Sequence, residues 1–116
     1  MEHLDESQFD NLAERLSLSV FKELVLNFAA SMPGLLNRLK RAAQDNVDDE
    51  VARIAHELRG AAGNFGATRL CTLAQALESS VRHGNGGSHL PLTEEIEHAA
   101  RAAMASIARR LAILVN

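Results

Sequence analysis

Apolar residues recur at three- and four-residue intervals along nearly the whole chain. Ala and Leu are abundant, β-branched residues are scattered, and no period-two alternation runs far enough to predict a strand. A first helix starts with Asp5 as N-cap and Gln8 three residues on to close a capping box, with Leu4 and Phe9 placed as the flanking hydrophobic staple. It should end near Leu16, since Ser17 and Ser19 offer caps for a second helix. That second helix runs from about Leu18 to about Gln44, with Val20, Leu24, Phe28, Met32, Leu35 or Leu36, and Leu39 as its buried stripe. Pro33-Gly34 lies inside it and should kink it or split it in two.

The acidic turn Asp48-Asp49-Glu50 suits the start of a third helix, where negative charge meets the positive end of the dipole. This helix should stop near Asn64 or Phe65, with Gly66 as a left-handed C-terminal cap. A fourth follows almost at once, with Leu70, Leu73 or Ala74, Leu77 and Val81 inside, and so short a connection makes the two antiparallel neighbours. The run from His83 to His89 is a glycine-rich loop. The last helix starts near Thr93, with Glu94 and Glu95 in its first turn and Ile96, Ala100, Ala103, Ile107, Leu111 and Leu114 as its stripe. There is no internal repeat, and 116 residues make one domain with a real core. The expected architecture is all-α: an antiparallel up-and-down four-helix bundle with a short additional N-terminal helix. The stripes can satisfy one another within one chain, which favours a monomer.

Composition narrows the function. The chain is 47% hydrophobic and 23% charged, the balance of a globular domain. Its formal net charge of −3, with no basic block, argues against nucleic acid as a partner. No apolar run approaches the ~20 residues of a bilayer crossing, and no signal segment opens the chain. Cys71 is the only cysteine and falls in a helical pattern beside Leu70, which reads as a reduced, partly buried thiol in a cytoplasmic protein.

Against that background one histidine stands out. On the third helix the apolar stripe passes through Val51, Ile54 or Ala55, Leu58, Ala62 and Phe65, and His56 points about 140° away from it at roughly 100° per residue. Its neighbours on that outer face are Ala52, Arg53, Arg59, Gly60 and Gly63, all small or basic. A glycine inside a helix costs on the order of 1 kcal/mol against alanine, so two of them suggest that something large approaches the ring. An exposed helical histidine is, taken alone, ordinary surface; the small and basic residues around it carry the functional reading.

The stretch from Ala55 to Glu78 resembles the histidine-containing phosphotransfer (HPt) domain of bacterial and eukaryotic phosphorelays. The family's pattern of His-x-Leu-Lys/Arg-Gly, small residues, a helix-closing Gly and a later Leu-Glu/Gln appears as His56-Glu57-Leu58-Arg59-Gly60-Ala61-Ala62-Gly63, Gly66, Leu70 and Leu77-Glu78. The resemblance implies a phosphorelay intermediate, in which a ring nitrogen of His56 accepts a phosphoryl group from an aspartyl phosphate and passes it to another receiver. The implied partners are receiver domains of response regulators or hybrid sensor kinases. In the family a Glu or Gln on the following helix fixes the other ring nitrogen, and Glu78 holds the matching position. Arg59, where the family more often has Lys, would compensate the charge of the transferring group. Ala52, Arg53, Gly60 and Gly63 would form the docking face, with Arg53 read equally well as a surface charge kept for solubility. The Mg²⁺ that screens the phosphoryl oxygens would belong to the receiver, so no cofactor and no metal is expected on this chain. Without a P-loop-type phosphate cradle it should have no ATP-dependent kinase activity of its own.

Two rivals come from other classes. A helical adaptor could bind receivers or kinases without transfer, though it has no need of the His56, Arg59 and Glu78 set. A metal-centred bundle would need Glu-x-x-His pairs on facing helices, and no second such run accompanies Glu95-Ile96-Glu97-His98. His83 and His89, irregularly spaced and without a partnering Cys, read as solvated loop residues, and His3 and His98 carry no pattern.

Overall fold

Five helices follow one another in the computed structural model, which describes residues 3–84 and 88–115. They are α1 (Glu6–Arg15), α2 (Leu18–Gln44), α3 (Asp48–Phe65), α4 (Thr68–Arg82) and α5 (Leu90–Val115). α2 packs on α3, α3 on α4, α4 on α5 and α5 back on α2, while α1 lies across α2 and α3. This is the expected all-α up-and-down bundle with a lead-in helix. Among the described residues no helix is long and apolar enough to cross a membrane. Asn85, Gly86 and Gly87 of the glycine-rich loop lie outside the described residues.

The stripe of α2 is rotated from the expected one. Its buried residues are Phe21, Val25, Phe28, Met32, Leu35, Leu39, Ala42 and Ala43, while Val20 and Leu24 are exposed. The observed positions alternate between spacings of four and three and so hold one direction. Successive steps of four drift by about 40° each, which carries Leu24 and Val20 round to the solvent side. Pro33 does not split the helix, which runs unbroken through it. The ring sits on the exposed face, where water can serve the carbonyl that loses its partner.

All four phenylalanines gather at one end of the core. Phe9 meets Phe21 edge-on at 5.1 Å between centroids, and Phe65 lies 6.4 Å from Phe9 and 4.9 Å from Phe28. That chain of rings fastens α1 to α2 and α3. Burying a phenylalanine contributes about 1.5–3 kcal/mol, which a ten-residue helix needs because it is too short to hold itself. Asp5 caps α1 by accepting from the Gln8 backbone at 3.1 Å, as expected. The reciprocal half of the capping box does not form. The Gln8 side chain instead donates across to the Gly63 carbonyl of α3.

Gly66 ties this end together. It ends α3 in the left-handed conformation, with φ +77°, and a Cβ there would stand 2.9 Å from the Asp5 carbonyl oxygen. Its own carbonyl accepts from the Asp5 N–H at 2.7 Å. Only glycine combines that φ with so close a neighbour. The α3–α4 turn is therefore clamped by α1, and the register of the two helices is held from outside the hairpin.

α5 starts three residues earlier than the sequence pattern suggests, so Glu94 and Glu95 fall beyond its first turn. Thr93 is buried and returns both its N–H and its hydroxyl to the His89 carbonyl, at 3.0 and 2.9 Å. His89 is itself buried, with Nε2 3.6 Å from Asp48 Oδ1 at the start of α3. It is a packed residue at the head of α5 and not the solvated loop residue expected. At the far end Leu111 is half-buried and Leu114 exposed, so the stripe fades before the helix stops.

Candidate functional site

The candidate site lies on the α3–α4 hairpin. Val51, Ile54, Ala55, Leu58 and Ala62 bury one face of α3 completely, which turns His56 outward with 59% of its side chain exposed. α4 lies against the flank of α3 and presents Glu78, one residue after the fully buried Leu77. Packing at Leu77 thus sets the height and direction of Glu78, whose side chain is only 9% exposed.

Glu78 Oε2 lies 3.0 Å from His56 Nδ1. Two guanidiniums flank the same carboxylate: Arg59 Nε is 3.2 Å from Oε1 and Arg82 Nη2 is 2.8 Å from Oε2. A carboxylate accepts, so the hydrogen bond at 3.0 Å assigns a proton to Nδ1, donated to Glu78. In the neutral tautomer of that kind Nε2 keeps its lone pair. A carboxylate that holds one ring nitrogen is the arrangement that makes the other a directed nucleophile or ligand.

The same proton defines the state of Arg59. Its Nη2 lies 3.1 Å from His56 Nδ1, but two N–H donors face each other there and no hydrogen bond forms between them. Its Nε, although near Glu78, is out of line for a hydrogen bond and is buried without a hydrogen-bond partner among the described residues. Arg59 is therefore close to both groups and firmly bonded to neither. Its backbone is better held, since its carbonyl accepts from the Cys71 thiol on α4 at 3.6 Å.

The residues expected to form a docking face are divided. Ala52 and Arg53 line a depression with His56, Val81, Arg82 and the acidic start of α3, about 640 Å³ in volume. Arg53 is committed to Glu50, whose hydrogen bond with Nε at 3.1 Å raises the guanidinium pKa above its ordinary value. Gly60 is bare, since a Cβ there would meet nothing within 4 Å. Gly63 is half-buried; a Cβ on it would rest 3.8 Å from Cys71 Sγ, in ordinary contact. It lines a different depression, with Gln8, Gly66 and Thr72.

Arg82 was not singled out in the sequence, although Glu78 and Arg82 stand at the i,i+4 spacing of a helical ion pair. It shares with His56, Arg59 and Glu78 a shallow depression of about 330 Å³, which His83 also lines. His83 is exposed, and its Nδ1 lies 2.8 Å from the Ser79 carbonyl.

With this geometry in place the comparisons with known proteins are informative. The family described as the Hpt domain matches residues 23–110, a span that contains the whole site. The phosphorelay protein LuxU of Vibrio cholerae serotype O1 is 29% identical over 100 residues, covering 84% of this chain and 83% of that protein. The crystal structure of histidine-containing phosphotransfer protein B (HptB) from Pseudomonas aeruginosa PAO1 superposes with a TM-score of 0.85 over 94% of both chains. At 24% identity that likeness is one of fold.

Proposed function

The chain belongs to the Hpt domain family, and from that membership and the geometry of its histidine we propose that it relays phosphoryl groups between receiver domains through Nε2 of His56. The contact of His56 Nδ1 with Glu78 Oε2 at 3.0 Å carries the reading. It places the ring proton on the nitrogen facing the protein and leaves the other, on an exposed ring, unprotonated. Nε2 attacks the phosphorus of an aspartyl phosphate; the N–P bond forms as the O–P bond breaks, and the receiver's carboxylate leaves. No proton has to be removed from the nucleophile. The ring becomes positive as the bond forms, and the Glu78 carboxylate opposes that charge through a hydrogen bond that strengthens as it develops.

Arg59 supplies the cation for the phosphoryl oxygens, being near the ring and weakly engaged elsewhere. Ala52 and Gly60 offer little bulk around the imidazole, which suits the approach of a folded partner, and Arg53 and Gly63 flank that face. The Mg²⁺ that screens the phosphoryl group is assigned to the receiver. The chain acts as a carrier and not as a kinase, in keeping with its family. The curated relative named a phosphorelay protein supports the same role.

The test is uptake of labelled phosphate from a phosphorylated receiver. The parent should become labelled and then discharge to a second receiver, with acid-labile, base-stable phosphate on Nε2 of His56. His56→Gln should keep its unfolding temperature, because an exposed position contributes little packing, and should take up no label. Binding of receivers by a parent that never becomes labelled would instead identify an adaptor.

A further inference from the structure

Glu78 is an almost buried carboxylate beside the histidine, and two cations pair with it at different distances and on different oxygens. A buried carboxylate stays ionised only if it is paired. Arg82 approaches at 2.8 Å from the same helix, at the i,i+4 spacing. Arg59 comes from α3 and stands farther off, at 3.2 Å, with a buried N–H that finds no hydrogen-bond partner among the described residues; both contacts are ion pairs and neither guanidinium is aligned for a hydrogen bond to the carboxylate. Arg82 meets the oxygen that also receives the His56 proton, Oε2, whereas Arg59 stands against Oε1. From the shorter contact on the oxygen that His56 also uses, we infer that Arg82 is a positioning residue: it keeps the Glu78 carboxylate paired and aimed at His56 Nδ1, and so frees Arg59 to leave Glu78 for the phosphoryl oxygens.

The division follows from where the negative charge goes. When the phosphoryl group arrives, Arg59 has less to lose, since it is the more distant of the two cations, has a buried N–H without a hydrogen-bond partner among the described residues, and faces the ring donor to donor. If Arg59 were the only counter-ion of Glu78, its departure would leave an unpaired carboxylate in a nearly buried site. The energy gained at the phosphoryl group would be offset by that loss. With Arg82 in place the carboxylate keeps a partner throughout transfer, and Nδ1 keeps its acceptor. Arg82 itself need touch neither the ring nor the phosphoryl group. This rests on the proposed transfer at His56, but its first consequence is a property of the resting protein.

The tautomer of His56, read from the ¹⁵N shifts of its ring, separates the two proposals. The parent and Arg59→Met should both be mainly Nδ1-protonated. Arg82→Met keeps the aliphatic stem and removes the charge; it should raise the Nε2-protonated fraction and slow phosphate uptake by roughly fivefold, the effect of about 1 kcal/mol. Arg82→Lys should recover most of both. Arg101→Met removes a cation of the same i,i+4 type on α5 and should change neither. An Arg82→Met protein with the parent's tautomer balance overturns the inference, and so does one in which Lys restores nothing. A parent that shows the expected tautomer but never becomes labelled overturns the transfer proposal and leaves the positioning of Glu78 standing.

Discussion

Two ion pairs in this bundle look interchangeable in the sequence. Glu78 and Arg82 on α4, and Glu97 and Arg101 on α5, each stand four residues apart, with N–O distances of 2.8 and 2.7 Å. Their arginines are similarly exposed, at 64% and 71% of the side chain. The carboxylates differ: Glu78 is 9% exposed and Glu97 34%. Glu78 also meets His56 and Arg59 from α3, whereas the contact with Arg101 is the ion pair found for Glu97 among the described residues. A helical ion pair in water contributes a few tenths of a kcal/mol and makes no chemical site. The same pair pressed against a second helix brings its carboxylate to 3.0 Å from a histidine ring nitrogen. Spacing along one helix creates the pair; packing between two helices gives it a use.

The largest expected effect separates these carboxylates directly. Glu78→Ala should slow transfer between about ten- and a hundredfold, the usual cost of removing an outer partner that orients a functional imidazole. Glu78→Gln keeps an oxygen that can accept from Nδ1 and should recover most of the rate. Glu97→Ala should transfer like the parent. Initial rates of uptake from one phosphorylated receiver check all three, and equal rates for the two alanine variants would erase the contrast.

Bulk near the ring comes next. Gly60→Leu puts a side chain where a Cβ meets nothing within 4 Å, so it should raise stability by about 0.5–1 kcal/mol through helix propensity. It should also slow transfer roughly tenfold by obstructing the receiver, if the loss of docking is of order 1.4 kcal/mol. Gly63→Leu should slow it less, since Gly63 is half-buried beside Cys71 and lines another depression. Urea unfolding and transfer rates measured together decide this; faster or unchanged transfer in Gly60→Leu would remove Gly60 from the docking face.

The smallest effect concerns a third pair, built for stability alone. Arg110 on α5 donates from Nε to Asp10 Oδ1 on α1 at 3.0 Å, far from the histidine in the chain. The hydrogen bond from Arg110 lowers the Asp10 pKa below its ordinary 3.8, against a smaller opposing effect of burial. Because Asp10 titrates lower folded than unfolded, the pair stabilises above pH 3.8 and loses that contribution as pH falls through the depressed folded value. Asp10→Asn should lower the urea midpoint slightly at pH 7 and by progressively less as the pH falls below 3.8, with transfer at pH 7 unchanged. A difference that grows toward acid would reverse the sign and refute the linkage.

Much of the site was legible because it depends on period and spacing. The 3.6-residue repeat through Val51, Leu58 and Ala62 is enough to expose His56, and the short turn after Gly66 is enough to bring α4 back beside it. Stripe positions were less secure where a run offers several apolar choices. Val20 and Leu24 are as hydrophobic as their neighbours Phe21 and Val25, and the packing of α1, α3 and α5 against α2 selects between them. His89 shows the same limit for polar groups: loop composition suggests solvent, while the Asp48 carboxylate and the start of α5 enclose it.

Helix order, the left-handed stop at Gly66 and the outward face of His56 were determined by the sequence itself, since each follows from local backbone geometry and the separation of polar from apolar residues. Gln8 reaching Gly63, Glu78 reaching His56, and the proton assigned to Nδ1 were decided by tertiary structure. Each of these depends on the distance and direction between side chains on different helices, or on the burial that packing imposes, and a shift of about one ångström would abolish it. Residue identity supplies the charges and donors, while inter-helix packing sets which of them meet.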